Sequence, residues 1–138
     1  MSGSSRVDEA RRAALDLLTA VRVDDAYANL AMPGILRAHR CTGRDAAFAT
    51  ELGFGTLRWQ GWYDAILATC ITRPEVDPEV RDILRLGVHQ LLAMRVPPHA
   101  AIDSSCELAR ATGSPEGARG RVGFVNAVLR AVSARDAD

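Results

Sequence analysis

The chain has 138 residues, with 17 basic and 17 acidic side chains and a hydrophobic fraction of 48%. A chain of this length buries enough surface to fold as one domain without disulfides or a structural metal. The zero net charge neither demands nor excludes a nucleic-acid partner. With only 5% aromatic residues and abundant alanine and leucine, the composition favours helices over sheets, so we expect an all-α protein.

Cysteine usage and hydropathy indicate where the protein works. Cys41, Cys70 and Cys106 are odd in number and show no C-x-x-C spacing, which is typical of free thiols in a reducing compartment. No secretory signal pattern opens the sequence, and no apolar run reaches the roughly 18 residues that a membrane span needs. We therefore expect a cytoplasmic protein with no membrane segment, and we interpret residues 1–5 as a disordered leader or a cloning remnant.

The first half of the chain predicts three helical segments. Apolar residues share one face of the first helix, and Arg11 and Arg12 are expected to point away from that face. Pro33 and Gly34 predict a turn before a short second helix. A long helical stretch then follows Gly43 and is expected to end at Pro74; its middle is predicted to be weak or kinked because of three glycines, Gly53, Gly55 and Gly61.

The second half is centred on a nearly all-apolar helix between residues 80 and 96. Asp77 is a predicted N-cap for it, with Pro78 at the first helical position. A helix that is apolar on most sides is buried by its neighbours. Its polar residues, Arg81, Arg85 and His89, recur every four positions and form either a solvent strip or a contact surface.

Two further helices complete the prediction. Pro98 is expected to open a helix that runs to about Thr112. Residues 114–120 are interpreted as a flexible loop, and the last helix follows that loop. Asn126 lies among apolar residues in this last helix, so we expect a buried amide that is bonded to the backbone.

Motifs for catalysis or metal binding are absent from the sequence pattern. His39 and Cys41 lack the further ligands at suitable spacing that a metal site needs, so we expect no metal. No nucleophile, base and carboxylate are arranged as a triad, so we expect no catalytic residue and no cofactor bound by this chain. Gly53 and Gly55 begin a dinucleotide-binding pattern but are not preceded by a strand, which favours a role in helix packing.

Trp59 and Trp62 form a basic-aromatic cluster with Arg58. This cluster has two interpretations: stacking against an RNA base, or anchoring a core or an interdomain seam. Helical spacing favours the second interpretation.

Three blocks of sequence carry a family resemblance. They are ELGFGTLR at residues 51–58, LRLGVHQLLAMRVPPHAA at 84–101 and GFVNAVLR at 123–130. In this order and spacing they resemble the NusB-like N-terminal domain of bacterial small-subunit rRNA cytosine-5 methyltransferases. The resemblance extends from about Arg6 to the end of the chain, and it implies a single domain over residues 6–138, built as a helical bundle of two packed helical subdomains that binds RNA or protein.

The resemblance also implies what this chain lacks. In the methyltransferases the NusB-like domain precedes a catalytic domain that uses S-adenosylmethionine and a cysteine nucleophile, and the sequence stops at Asp138 before such a domain begins. None of the three cysteines follows a proline, as the catalytic cysteine of that family does. We therefore expect a non-catalytic domain whose partners are small-subunit rRNA and a methyltransferase domain in cis. The alternatives are a freestanding NusB-type transcription antitermination factor and a protein-interaction module with little RNA affinity.

Exposed arginines are the expected RNA contacts. Between residues 110 and 135 there are five arginines and one acidic residue, which favours a polyanion-facing surface in the last third of the chain. Our candidates are Arg11 and Arg12 on the first helix, Arg119 and Arg121 beside the last helix, and Arg58.

Overall fold

The computed structural model describes residues 6–137, and in that range the chain forms seven α-helices and no β-strand. The expected all-α fold is confirmed. The five N-terminal residues that we interpreted as a leader or remnant lie outside the described residues. The helices are α1 Arg6–Asp24, α2 Ala28–Ala38, α3 Gly43–Arg58, α4 Gln60–Ala68, α5 Pro78–Leu92, α6 Pro98–Ala111 and α7 Ala118–Ala137, with one 3₁₀ turn at Pro115–Gly117.

The chain divides between Arg58 and Trp59 into two compact units. The first unit contains α1, α2 and α3, and α1 packs against both of the other helices. In the second unit α5, α6 and α7 pack against one another, while α4 packs mainly against α5. Each unit therefore has its own set of helix contacts.

Small side chains dominate the core of the first unit. Three α1 residues with no exposed surface, Ala10, Ala13 and Leu17, belong to one core cluster. Met32 from α2, Ala49 from α3 and Cys41 from the segment between these two helices complete this cluster. A Cβ atom at Gly53 would lie 2.7 Å from Leu17 Cδ2, so the Leu17 side chain occupies the space that glycine leaves on α3. This contact confirms the packing role that we expected for Gly53.

Helix α5 is the centre of the second unit. Ten of its residues are buried, as expected for a helix that is apolar on most sides. Asp77 caps its start by accepting a hydrogen bond from the Glu79 amide at 3.2 Å, which confirms the predicted N-cap. A Cβ atom at Gly87 would lie 2.6 Å from Leu129 Cδ1 on α7 and 3.1 Å from Ser105 Oγ on α6. Gly87 thus allows α5 to approach both helices closely.

The polar stripe of α5 is a contact surface toward α4. Arg85 donates to both carboxylate oxygens of Asp64 at 2.7 and 2.8 Å, and to Asp82 at 2.9 Å. Burial lowers the pKa of Arg85, but its bonds to Asp64 and Asp82 raise that pKa to a net value above the ordinary one. His89 Nδ1 and the Tyr63 hydroxyl share a buried hydrogen bond of 2.6 Å. Polar contacts therefore hold α4 on α5.

The predicted boundaries of α2, α3 and α4 need correction. Pro33 lies inside α2 rather than in a turn, because core packing of neighbours such as Met32 offsets the lost amide donor and the steric conflict of the ring with the preceding turn. The long stretch after Gly43 is interrupted, as expected, and the break is at Trp59, whose φ of −105° and ψ of 15° leave the helical region. Helix α4 ends at Ala68, well before Pro74, and the Thr69 hydroxyl donates to the Ile66 carbonyl at that end.

Two predictions near α7 are wrong. The loop expected at residues 114–120 contains a 3₁₀ turn, and α7 begins at Ala118. The Ser114 side chain accepts a hydrogen bond from the Gly117 amide, which is the capping geometry that a Ser-Pro sequence supports. Asn126 is only half-buried, and its Oδ1 accepts from Arg130 Nε at 3.1 Å one turn away instead of bonding to the backbone.

Replacing Gly87 by alanine tests the close approach of α5. We expect Gly87→Ala to lower the free energy of unfolding by about 1–2 kcal/mol, because overpacking in the core outweighs the gain in helix propensity. Gly123→Ala is the matched control, since Gly123 is exposed on α7 and a Cβ there meets nothing within 4 Å. This control should gain up to about 1 kcal/mol. Urea unfolding measures both values, and equal stability of the two variants would contradict the packing role of Gly87.

Candidate nucleic-acid interface

Arg11 is buried, contrary to its predicted outward orientation. The residue is 7% exposed, and its guanidinium lies over the Phe48 ring at 5.1 Å from the centroid. Asp8 is 3.8 Å away, one turn earlier on α1. Burial lowers the pKa of Arg11 and Asp8 raises it, with a net value below the ordinary one. The side chain packs α1 against α3 because its long stem and flat head cover an aromatic face.

Arg12 belongs to a charged network on α1. Its Nη1 donates to Glu9 Oε2 at 2.6 Å, and its side chain is 39% exposed. Glu9 also bonds His39 Nδ1 at 3.0 Å, and Asp16 bonds His39 Nε2 at 2.6 Å. His39 follows the last turn of α2, so this network fastens the end of α2 to α1.

The two arginines predicted beside α7 have different surroundings. Arg119 is exposed and makes no side-chain bond within residues 6–137. Arg121 is half-buried; its Nε donates to the Ala109 carbonyl at 3.0 Å, and its Nη1 lies against Gly117. Its Nη2 is buried without a hydrogen-bond partner in the part of the chain that the structure describes. Arg121 therefore ties the end of α6 to α7, whereas Arg119 is accessible.

Arg58, at the end of α3, is exposed and forms no side-chain hydrogen bond or ion pair with any described residue. Arg58 and Arg119 are consequently the two candidates whose guanidinium groups are accessible and unbonded. The structure places them in different units. An RNA role for all five predicted arginines stays a prediction.

The sequence interpretation overlooked a basic turn in the first unit. Arg37, Arg40 and Arg44 are exposed and lie where α2 ends and α3 begins, and Arg40 has a left-handed φ of 55°. No ion pair of these three guanidinium groups occurs among the described residues. The sequence does show this basic turn, because three arginines occur within eight residues. Our charge comparison concerned the second half of the chain and so did not detect them.

The tryptophans were predicted to anchor a core or an interdomain seam, and the core position is wrong. Trp59 is 52% exposed and Trp62 is 65% exposed. On the same helix Tyr63 and Leu67 take the buried positions, and the two tryptophans lie on the side that these residues leave open. Two interpretations remain open, namely stacking against a base and anchoring an interdomain seam.

The described residues contain neither a candidate metal-binding cluster nor a helix that could span a membrane. Among the described residues, no group of three or more histidine, cysteine or acidic side chains is arranged to hold a metal ion. The carboxylates beside His39 bond opposite nitrogens of its ring and do not converge on one point. No helix within residues 6–137 is long and apolar enough to cross a membrane. All three cysteines are free thiols, as expected, and Cys41 and Cys106 are buried.

These features define an all-helical domain of two units with accessible arginines in each unit. The model of the NusB family matches residues 8–134, and the chain belongs to the NusB family. The chain is 48% identical over 132 residues to a Mycobacterium tuberculosis protein named "Putative methyltransferase", covering 94% of this chain and 28% of that relative. It is 34% identical over 122 residues to ribosomal RNA small subunit methyltransferase B of Pseudomonas putida, covering 87% of this chain and 27% of the relative.

The chain therefore spans little more than a quarter of the length of these curated relatives. A chain from the solved structure described as "Crystal Structure of a Plectonemic RNA Supercoil" has the same fold, with a TM-score of 0.79 at 19% identity and 94% of both chains covered. At that identity the likeness shows the fold alone. The family resemblance read from the three sequence blocks is confirmed.

The network around His39 predicts a pH dependence of stability. Burial lowers the pKa of His39, but its bonds to Asp16 and Glu9 raise that pKa to a net value above the ordinary 6.5. The stabilisation is therefore fully present below about pH 6.5 and is lost as the pH rises through the folded-state value. Between pH 6 and pH 9 we expect wild type to lose up to about 1 kcal/mol more than His39→Gln. Denaturant unfolding followed by circular dichroism measures this difference, and parallel pH profiles would refute the assignment.

Proposed function

We propose that this chain is the RNA-binding domain of an S-adenosylmethionine-dependent small-subunit rRNA cytosine-5 methyltransferase. Membership of the NusB family and the names of its relatives support this proposal. The observation that carries it is the presence of exposed, unbonded arginines in both units, namely Arg58 and the basic turn in the first and Arg119 in the second. Such guanidinium groups bind phosphate without first breaking an internal ion pair.

In this proposal, methyl transfer takes place in a separate catalytic domain and not in the residues of this chain. Small-subunit rRNA is the proposed ligand in the cytoplasm, and the catalytic domain is the proposed partner in cis. S-adenosylmethionine belongs to that catalytic domain. The cysteines of this chain support this separation because Cys41 and Cys106 are buried, and burial raises the pKa of the Cys106 thiol. A raised pKa lowers the fraction of reactive thiolate at neutral pH.

A freestanding antitermination factor is the rival function within the same family. The relatives at 34% and 48% identity carry methyltransferase names, which favours our proposal. The coding sequence beyond residue 138 separates the two. A continuing frame with a glycine-rich strand-turn-helix supports the methyltransferase, whereas a stop codon supports the antitermination factor.

Removing the two accessible candidates tests RNA binding. The double variant Arg58→Gln, Arg119→Gln should bind a fragment of unmodified small-subunit rRNA more weakly. Its plot of log affinity against log salt concentration should be flatter by about 1–2, because each lost phosphate contact removes roughly 0.9 from the slope. Arg110→Gln is the control, since Arg110 is exposed but already paired with Glu107. Unchanged affinity and slope in the double variant would reject the assignment of Arg58 and Arg119.

The non-catalytic proposal has its own test. We expect no methyl transfer when the chain is incubated with labelled S-adenosylmethionine and unmodified small-subunit rRNA, because Cys41 and Cys106 are buried and no cysteine follows a proline. Incorporation of label is measured on the RNA. Transfer by this chain alone, reproduced after removal of contaminating enzymes, would overturn the proposal.

A further inference from the structure

We propose that Trp59 and Trp62 form a stacking site for two neighbouring unpaired bases of RNA. This inference rests on the proposed RNA-binding function. It specifies where on the protein RNA binds and that the bound bases are unpaired. Trp59 is the N-cap residue of α4 and Trp62 lies in its first turn, and the two side chains line one cavity. Both expose more than half of their surface.

Two adjoining cavities surround these tryptophans within the second unit. One cavity of about 420 Å³ is lined by Trp62, Ile66 and Leu92, and continues to the end of α7. The other, of about 310 Å³, is lined by Trp59, Trp62 and Ala93. Because Trp62 lines both cavities, a base on either side of its ring is in reach of an aromatic face.

The larger cavity has polar groups at one end. Arg135 donates to the Thr69 carbonyl at 2.9 Å and also bonds the Thr69 hydroxyl, which fixes the guanidinium beside the cavity. A guanidinium has five N–H donors, so further donors remain for a phosphate oxygen. Asp136 also lines this cavity and can accept hydrogen bonds from the exocyclic amino group of a base. An aromatic wall with a few polar groups at its edge suits a nucleotide.

These polar groups favour RNA over an apolar protein segment. An apolar peptide segment that covered Ile66 and Leu92 would offer no partners to Arg135 and Asp136, which line the same cavity. A nucleotide instead places its flat face on the tryptophan, its phosphate toward Arg135 and an exocyclic amino group toward Asp136. The site therefore adds a base-contacting surface to the phosphate-contacting arginines.

The chain offers an internal reporter because both of its tryptophans belong to this site. We expect an unstructured mixed-sequence hexaribonucleotide to quench tryptophan fluorescence in a saturable titration. The same hexamer with abasic sugars should leave the fluorescence unchanged, since it retains phosphates but cannot stack. Equal quenching by the two oligonucleotides would overturn the inference.

Variants of Trp62 provide the second measurement. Trp62→Ala should weaken binding of the hexamer about 5- to 100-fold, the effect expected when an aromatic stacking partner is lost, while the salt dependence stays the same. Trp62→Phe should retain most of the affinity. Tyr27→Ala is the matched control, because Tyr27 is an aromatic residue 74% exposed in the first unit. Circular dichroism checks that each variant is folded.

The outcomes separate this inference from the proposed function. If the rRNA fragment binds through Arg58 and Arg119 and Trp62→Ala leaves the hexamer affinity unchanged, only the stacking site is refuted. If neither the rRNA fragment nor the hexamer binds, both proposals fail. A concentration-dependent dimer that Trp62→Ala abolishes would assign the surface to a second copy of the chain and overturn the inference.

Discussion

Each unit of this protein depends on one glycine that admits a leucine from a neighbouring helix. In the second unit, Gly87 on α5 leaves room for the Leu129 side chain of α7. In the first unit, Gly53 on α3 does the same for Leu17 of α1. Closer helix axes increase the number of dispersion contacts along the interface, and these contacts are collectively large. Glycine at these two positions therefore allows the large apolar side chains to pack closely.

Specific polar contacts attach helix α4 to α5. Its contacts with α5 include a two-pronged Arg85–Asp64 ion pair and the buried bond between Tyr63 and His89. Such bonds require fixed geometry on both partners, so they set the rotation of α4 about its own axis more strictly than apolar packing does. That rotation leaves Trp62 facing solvent. The polar stripe on α5 and the exposed aromatic residue on α4 are thus two results of the same attachment.

The sequence predicted features that depend on local chemistry and missed features that depend on neighbours. The Asp77 cap and the burial of α5 follow from residues within one or two turns. Arg11 is different, because a charged residue at the edge of an apolar face points inward only when a partner such as Phe48 covers it. The expected core position of the tryptophans was wrong for the same reason. Helical spacing groups side chains on a face, but tertiary contacts decide which face is buried.

For the candidate RNA interface, too, the sequence predicts local features and misses those that depend on neighbouring residues. Charge counting along the sequence selects Arg119, and the structure shows that Arg119 is exposed. It also selects Arg121, whose guanidinium is committed to the Ala109 carbonyl, because a count of charges carries no information about bonding partners. The location of both tryptophans in the second unit has one last consequence, which is optical. Their emission reports on α4 and its surroundings, while circular dichroism reports on the helices of both units, so the two signals from one sample reveal whether the units melt together or one after the other.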